Sequence, residues 1–557
     1  MENITLLLTQ AIKDLFDVDI EPVLTRPDEQ FGDYATNVAM QLAGRMQKPP
    51  REIATALAEK LQANASAEIK NVTIAGPGFI NITLSDAVLL QAAQMAPRTK
   101  PTLYKNKVVV TEYSDPNPFK VLHVGHLYTS VNGYAIGSLF EAAGAIVHRV
   151  NFGGDVGLHV GKTMWAMLRE LGGEHPEKLA EIPQDNRAEW MAKCYVAGTA
   201  AYEENEQAKQ EIVAINKHVY QLHTDDERST PFAQIYWTCR QWSYDYFDAF
   251  YARIGTPFEK YYPESTCADI GLQTVREQLA KGVYQESDGA VVFKGEDYGL
   301  HTRVFINSEG IPTYEAKDVG LIMRKWQDYK FDRSIVITDN GQEQYMAVVL
   351  KSIEQFAPEL VQATSHLTHG VVKLKGGVKM SSRKGNFLRA VDVLDAAHEA
   401  NVKVTGRDDE SAVLAAVKYA FLKQRMGADI IFDLEESVSL EGNSGPYLQY
   451  AHARARSILA KAEQSMAAIT GLQDGERSLA RKISEYPEVV TKAVTDLMPH
   501  HICTYLYELA QTFNRFYEHN RVIGDERQAI RLQLVGLYAD VLYDGLTLLG
   551  IEAPERM

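Results

Sequence analysis

At 557 residues the chain is too long for one hydrophobic core, so three or four domains are expected. With 45% hydrophobic and 23% charged residues, and no run near the ~20 apolar residues of a membrane span, composition excludes a disordered or helix-spanning membrane protein. The formal charge of −16 argues against a non-specific nucleic-acid coat, but not against a nucleic-acid partner, because steering depends on where charge sits.

The opening stretch MENITLLLTQAIKDLF lacks a basic n-region and reads as an amphipathic helix rather than a signal peptide. Residues 1–100 read as a small α/β domain. It has helical patterns at Ile4–Phe16 and Ile53–Leu61, and short strands at Val72–Ile74 and Ile80–Leu84 around Gly76-Pro77-Gly78. Arg45, Lys48 and Arg51 read as a solvated helix end, and Pro97–Pro101 as a linker. Lys107–Tyr113 is a strand. Leu127, Val131, Ala135 and Leu139 then recur at helical spacing up to the stop at Gly144, and Ala145–Val150 is the next strand. This strand–helix–strand unit predicts a parallel sheet in a catalytic domain spanning 101–390. Residues from about 162 to 255 form long helical patterns, an insertion whose Trp237, Trp242, Tyr246, Phe247 and Phe250 stripe is expected in a core. Strands return at Ala290–Phe293, Arg303–Ile306 and Ser334–Ile337, with helices at Lys317–Trp326 and Gln342–Phe356. From 391 the chain reads as all-helical: a stem to 439, then a C-terminal domain over 440–557. Cys194, Cys239, Cys267 and Cys503 are scattered without a CxxC pair, which argues against structural zinc and fits a reducing cytoplasm. The lack of coiled-coil heptads points to a monomer.

Two stretches carry chemistry. Ser114–Thr129, SDPNPFKVLHVGHLYT, runs from a strand through a proline-interrupted turn into a helix opening on His123-Val124-Gly125-His126. A helix N-terminus attracts phosphate. Gly125 leaves room for a flat base or ribose, and two imidazoles three residues apart can both donate to a phosphoryl group under attack. The pair could instead begin a metal site, but no carboxylate or cysteine companion stands nearby. The second stretch is Lys379-Met380-Ser381-Ser382-Arg383-Lys384-Gly385-Asn386, cations and small hydroxyls that can cover a departing pyrophosphate. Between Val371 and Ala390 every charged residue is basic. Gly157–Thr163 imitates a P-loop but is one residue short between its glycines.

An HxGH tetrapeptide after the first strand, with KMSS before a helical C-terminal half, resembles the class I aminoacyl-tRNA synthetases and, within them, the arginyl-tRNA synthetase family. The segments that carry it include Phe31–Tyr34, Gly76–Asn81, Pro116-Asn117 with His123–Leu127, Asp288–Ala290, Lys379–Asn386, Gly445–Arg454 and Pro554–Met557. The resemblance implies a Rossmann-type catalytic domain, a small N-terminal α/β domain on the tRNA elbow and an all-α anticodon-binding C-terminus. It implies that arginine attacks the α-phosphate of ATP·Mg²⁺, and that the arginyl group then passes to tRNA(Arg). His123, His126 and Lys379 would be catalytic; Pro116, Gly125, Met380, Ser381, Ser382 and Lys384 would hold ATP. Glu112, Ser114, Asn117, His126, Tyr314, Asp318 and Gln342 would contact arginine. Spacing leaves open whether Glu112 or Asp318 takes the guanidinium, with Asp318 preferred. Phe79, Asn81, Tyr447, Tyr450, Arg454 and Met557 would meet tRNA, core packing being the competing expectation for Tyr450. Departures from the family pattern are Tyr128 for a common arginine, Asp115 for a serine, and Gly153–Gly157 for Gly-Asp-Trp-Gly.

Overall fold

Val109 and Val110 point to opposite faces of their strand, and both are fully buried. A strand buried on both faces belongs inside a parallel sheet covered on both sides. The computed structural model describes residues 2–64, 67–375, 388–462 and 471–557, and in it these valines lie on β1 (Val108–Glu112), the middle strand of five. With β2 (Ile146–Gly153), β3 (Lys260–Pro263), β4 (Arg333–Asp339) and β5 (Thr364–His369), the order is β5-β4-β1-β2-β3, all neighbours parallel. The chain winds outward from β1 to β3 and returns on the other side of β1. The topological switch point therefore lies between β1 and β4, where open α/β sheets bind ligands. Helix α1 (Val124–Ala142) joins β1 to β2, and Gly144 ends that connection at φ +90°.

Several elements differ from the sequence reading. Ala290–Phe293 and Arg303–Ile306 are strands, but with Gln285–Ser287 they form a separate antiparallel sheet. Asp288 and Gly289, both at positive φ, close a two-residue hairpin there, which pairs neighbours locally. The edge strands β3 and β5 carry tyrosines, or threonine, serine and histidine, and so lack the apolar signal of β1. The chain beyond 391 is not wholly helical, because Ile430–Phe432 pairs in parallel with Val372–Leu374. The insertion holds four long helices, Leu158–Glu170, Arg187–Glu204, Glu206–Thr224 and Pro231–Ile254. Phe247 and Phe250 of the aromatic stripe are buried in one core with Tyr246 packed against it, while Trp237 and Trp242 pack partly buried against a second core within the insertion. No helix among the described residues is long and apolar enough to cross a membrane.

The N-terminal unit pairs Phe79–Leu84 antiparallel with both Tyr34–Thr36 and Ile69–Ala75. It docks on the C-terminal helix Asp474–Ser484 through charge. Arg477 donates to Asp33 Oδ2 and Asp86 Oδ1, both at 2.6 Å, while Arg26 reaches Glu488 at 2.8 Å. Asp33 is buried, and its next cation, Arg481, is 3.6 Å away. Removing one partner of a buried pair strands the other charge. Arg477→Ala is therefore expected to destabilise the chain by about 3 kcal/mol and to expose residues 97–101 to protease. An unchanged urea midpoint and digestion pattern would contradict this docking role.

Candidate active site

At the carboxyl ends of β1 and β4 lies a cavity of about 470 Å³. Its walls are the turn after β1, the first turn of α1, the end of β4 with Gln342, and helix α2 (Tyr314–Tyr329).

One end is the N-terminus of α1, with its two histidines. His123 is the N-cap of α1, its Nδ1 accepting from Gly125 N–H at 3.1 Å, while His126 Nδ1 accepts from His123 N–H at 3.0 Å. The rings stack with centroids 3.7 Å apart. Burial lowers the pKa of His123 to about 4, and burial with the neighbouring ring pushes His126 well below its ordinary range. Both are therefore neutral at pH 7. With Nδ1 accepting, the single proton of each sits on Nε2, so this reciprocal cap sets the tautomer that makes Nε2 a donor. Gly125 has no room for a side chain, since a Cβ would lie 2.8 Å from His123 Cε1.

The other end is anionic. Helix α2 approaches the helix Glu264–Ala280 at a glycine pair: a Cβ on Gly271 would lie 1.9 Å from Ala316 O, and one on Gly320 2.1 Å from Cys267 O. This contact lets Lys317 meet Glu264 at 2.6 Å, both buried. Burial raises the pKa of Glu264 against the pull of Lys317. Seven residues after Asp318 on the same face, fully buried Lys325 pairs with Glu112 at the end of β1 and donates to Ser334 Oγ on β4 at 3.2 Å. Glu112 is thus already engaged by a cation of the chain. Asp318 accepts from Tyr345 Oη, and burial raises its pKa to about 7 against that hydrogen bond. Glu112 is thus paired with a lysine, while Asp318 has no ion-pair partner among the described residues.

The cavity brings Glu112, Ser114, Asn117, His123, Gly125, His126, Tyr314, Asp318 and Gln342 together. Within it Ser114 Oγ shares a hydrogen bond with Tyr251 Oη at 2.7 Å, and Asn117 Oδ1 accepts from Gly154 N–H at 2.8 Å. Pro116 is buried beside the cavity, its carbonyl against Gly153. Lys379, Met380, Ser381, Ser382 and Lys384 lie outside the described residues. The described cations flanking them are paired: Lys373 with Asp429 at 2.8 Å and Lys375 with Asp433 at 2.6 Å. Sequence reasoning missed Lys325, Tyr345 and the Lys317–Glu264 pair. Only Lys325 had a signal, two helical turns beyond Asp318; the others depend on long-range packing.

The remaining candidates stand elsewhere. Phe79 is 42% exposed on the N-terminal sheet, but Asn81 is buried on the central strand of that sheet. On the helix Gly445–Lys461, Tyr447 accepts from Asn514 Nδ2 at 2.8 Å, and Arg454 stacks on Tyr517 at 4.7 Å. Tyr450 is 45% exposed, so core packing does not account for it. Met557 is partly buried at the chain end.

Known proteins match along the whole chain. Residues 86–435 match the family model of the class I (R) tRNA synthetase catalytic domain, 448–557 the DALR anticodon binding domain, and 2–84 the arginyl tRNA synthetase N-terminal domain. An arginine–tRNA ligase of Frankia casuarinae is 33% identical, the match covering 96% of this chain and 95% of that one. A second, from Porphyromonas gingivalis, is 29% identical over 98% of both. The Thermus thermophilus arginyl-tRNA synthetase structure superposes with a TM-score of 0.81 at 25% identity, covering both chains completely. The catalytic-domain model alone spans more than half of the chain and takes in the parallel sheet with the cavity at its switch point, and the chain belongs to the arginyl-tRNA synthetase family.

Proposed function

We propose that this cavity carries out both steps of arginine ligation: ATP + L-arginine + tRNA(Arg) = AMP + diphosphate + L-arginyl-tRNA(Arg). The observation that carries it is Asp318, a buried carboxylate with no ion-pair partner among the described residues, across one cavity from the neutral, Nε2-protonated histidine pair. A ligand with a cationic side chain and a carboxylate aimed at a phosphate fits both ends.

In the first step Asp318 receives the guanidinium, with Tyr314 and Gln342 lining its path. The arginine carboxylate attacks the α-phosphate of ATP, bound as its Mg²⁺ complex. Negative charge builds on the phosphoryl oxygens, and His123 and His126 donate to it from Nε2 while the α1 N-terminus adds its dipole. Gly125 and Pro116 border the nucleotide. Lys379, with Met380, Ser381, Ser382 and Lys384, covers the departing diphosphate. In the second step the terminal 2′-hydroxyl of tRNA attacks the arginyl carbonyl and releases AMP. Phe79 of the N-terminal unit faces the tRNA elbow. Tyr447, Tyr450 and Arg454 stand where aromatic and guanidinium groups can receive unstacked anticodon bases, with Met557 nearby. The chain works as a monomer in the cytoplasm, a reducing setting that suits its four buried thiols.

ATP–diphosphate exchange tests this reading with each amino acid, with and without bulk tRNA. Exchange is expected with arginine alone among the amino acids, and only when tRNA is present; its absence under every condition would sink the proposal. Asp318→Asn should raise the arginine KM about a hundredfold while leaving that for ATP within about twofold, a charged hydrogen bond being worth ~1.5–3 kcal/mol. Because the acid form of Asp318 dominates below about pH 7 and cannot pair with guanidinium, the arginine KM should rise as pH falls. The slope approaches about tenfold per pH unit and flattens in Asp318→Asn. His126→Asn should lower kcat about 10²–10³-fold with the arginine KM nearly unchanged; a KM effect alone would refute its role at the phosphate.

A further inference from the structure

Tyr345 also lines the cavity. It stands on the helix Glu343–Glu354, which follows β4, one turn beyond Gln342. Its Oη donates to Asp318 Oδ2 and so joins that helix to α2. Burial and the neighbouring Asp318 carboxylate hold the phenol well above its ordinary range, so it keeps its proton and is the donor of this bond. A cation holds the ring itself. The Arg303 guanidinium lies over its face, 5.2 Å from the centroid, and Arg303 Nη1 donates to Glu315 Oε1 at 3.1 Å. Arg303 comes from the strand Arg303–Ile306 of the separate antiparallel sheet, and Glu315 from the first turn of α2. Asp318, Tyr345, Arg303 and Glu315 thus form a closed circuit that starts and ends on α2 and is drawn from three elements.

We propose that Tyr345, clamped beneath Arg303, is a positioning residue of the arginine site: it ties down Asp318 Oδ2 so that Oδ1 meets the guanidinium in a fixed plane. The inference rests on the arginine site proposed above. A guanidinium is a planar fork, and its bonds are selective only toward a carboxylate whose plane is set. An aspartate tied at neither oxygen swings about its last torsion, which has no sharp minimum. Among the described residues Tyr345 is the one hydrogen-bond donor to Asp318, and Oδ1 accepts from none of them. The same bond favours the charged form that a guanidinium requires. Burial raises the Asp318 pKa, which stands at about 7, and Glu112 of β1 and Glu264 of the facing helix raise it further. Tyr345 lowers it, more than Lys325 does from two turns along α2. Burial also raises Asp115 on the turn after β1, with Glu112 and Asp318 among the groups adding to the effect, so that residue supplies no compensating charge. One phenol therefore sets both the direction and the charge of the carboxylate that selects the substrate.

The test is aminoacylation of bulk tRNA by the full chain, with the arginine KM, ATP KM and kcat followed from about pH 6 to about pH 9. In Tyr345→Phe the arginine KM at neutral pH should rise about tenfold, with kcat and the ATP KM within about twofold. The loss should shrink to about threefold at the alkaline end, because the pH at which the arginine KM begins to climb moves upward by about one pH unit once the donor is gone. A merely structural role would not move that profile. In an Asp318→Asn background, Tyr345→Phe should change the arginine KM less than about twofold, since the carboxylate it serves is already removed. Equal losses in the two backgrounds, or an unmoved pH profile, would overturn the proposal and leave Tyr345 a packing residue. Should Tyr345→Phe fail to fold, Arg303→Lys carries the comparison, keeping a charge beside Glu315 but losing the planar cover on the ring. It should raise the arginine KM about threefold at neutral pH, and not in Asp318→Asn; an unchanged KM would overturn the clamp. An Asp318→Asn variant whose own arginine KM is unchanged would instead overturn the arginine site itself.

Discussion

Lys325 has no access to solvent, and its ammonium rests between Glu112 of the central strand and Ser334 of the next. Desolvating two ions costs several kcal/mol each, and their attraction repays it only at close, well-oriented contact. Helix α2 is therefore held at one height over the switch point between β1 and β4. Two turns upstream, the same helix face carries Asp318 into the cavity. The glycine contact at Gly271 and Gly320 brings the helix Glu264–Ala280 against α2 from the other side, and Lys317–Glu264 locks that approach with a second buried pair. The position of the anionic end of the cavity follows from these contacts rather than from any loop.

The cavity is divided electrostatically. At the α1 N-terminus, two histidines hold each other neutral through a reciprocal cap and supply oriented donors without a fixed positive charge. At the α2 end, carboxylates outnumber the cations paired with them among the described residues. On the function proposed here, a substrate positive at its side chain and negative at its carboxylate would be oriented by that division before any specific contact forms. Fixed dipoles of this kind need no reorganisation as charge develops at the phosphate.

The flanking units join this core through charge as well as packing. Arg477 and Arg26 tie the N-terminal sheet to C-terminal helices, and Lys373 and Lys375 tie the approach to the basic loop to Asp429 and Asp433. The short parallel ladder between Val372–Leu374 and Ile430–Phe432 joins the end of the sheet domain to the C-terminal half. A chain that is acidic overall thus spends many of its cations on internal joints.

The strand at Val108–Glu112, the helix after His123 and the phosphate-holding turn between them were legible because their signals are local: an apolar run, a helical stripe, a motif at a strand–helix junction. The helical spacing of Asp318 from Tyr314 was legible for the same reason, and both line the cavity. What was not legible depends on contacts across hundreds of residues. No spacing shows that Lys325 occupies Glu112, that Tyr345 holds Asp318, or that Ala290–Phe293 closes a hairpin apart from the main sheet. The sequence by itself determined which groups could do the chemistry. Only the tertiary structure decided which of them remain available, because a buried charge is defined by the partner that packing brings to it.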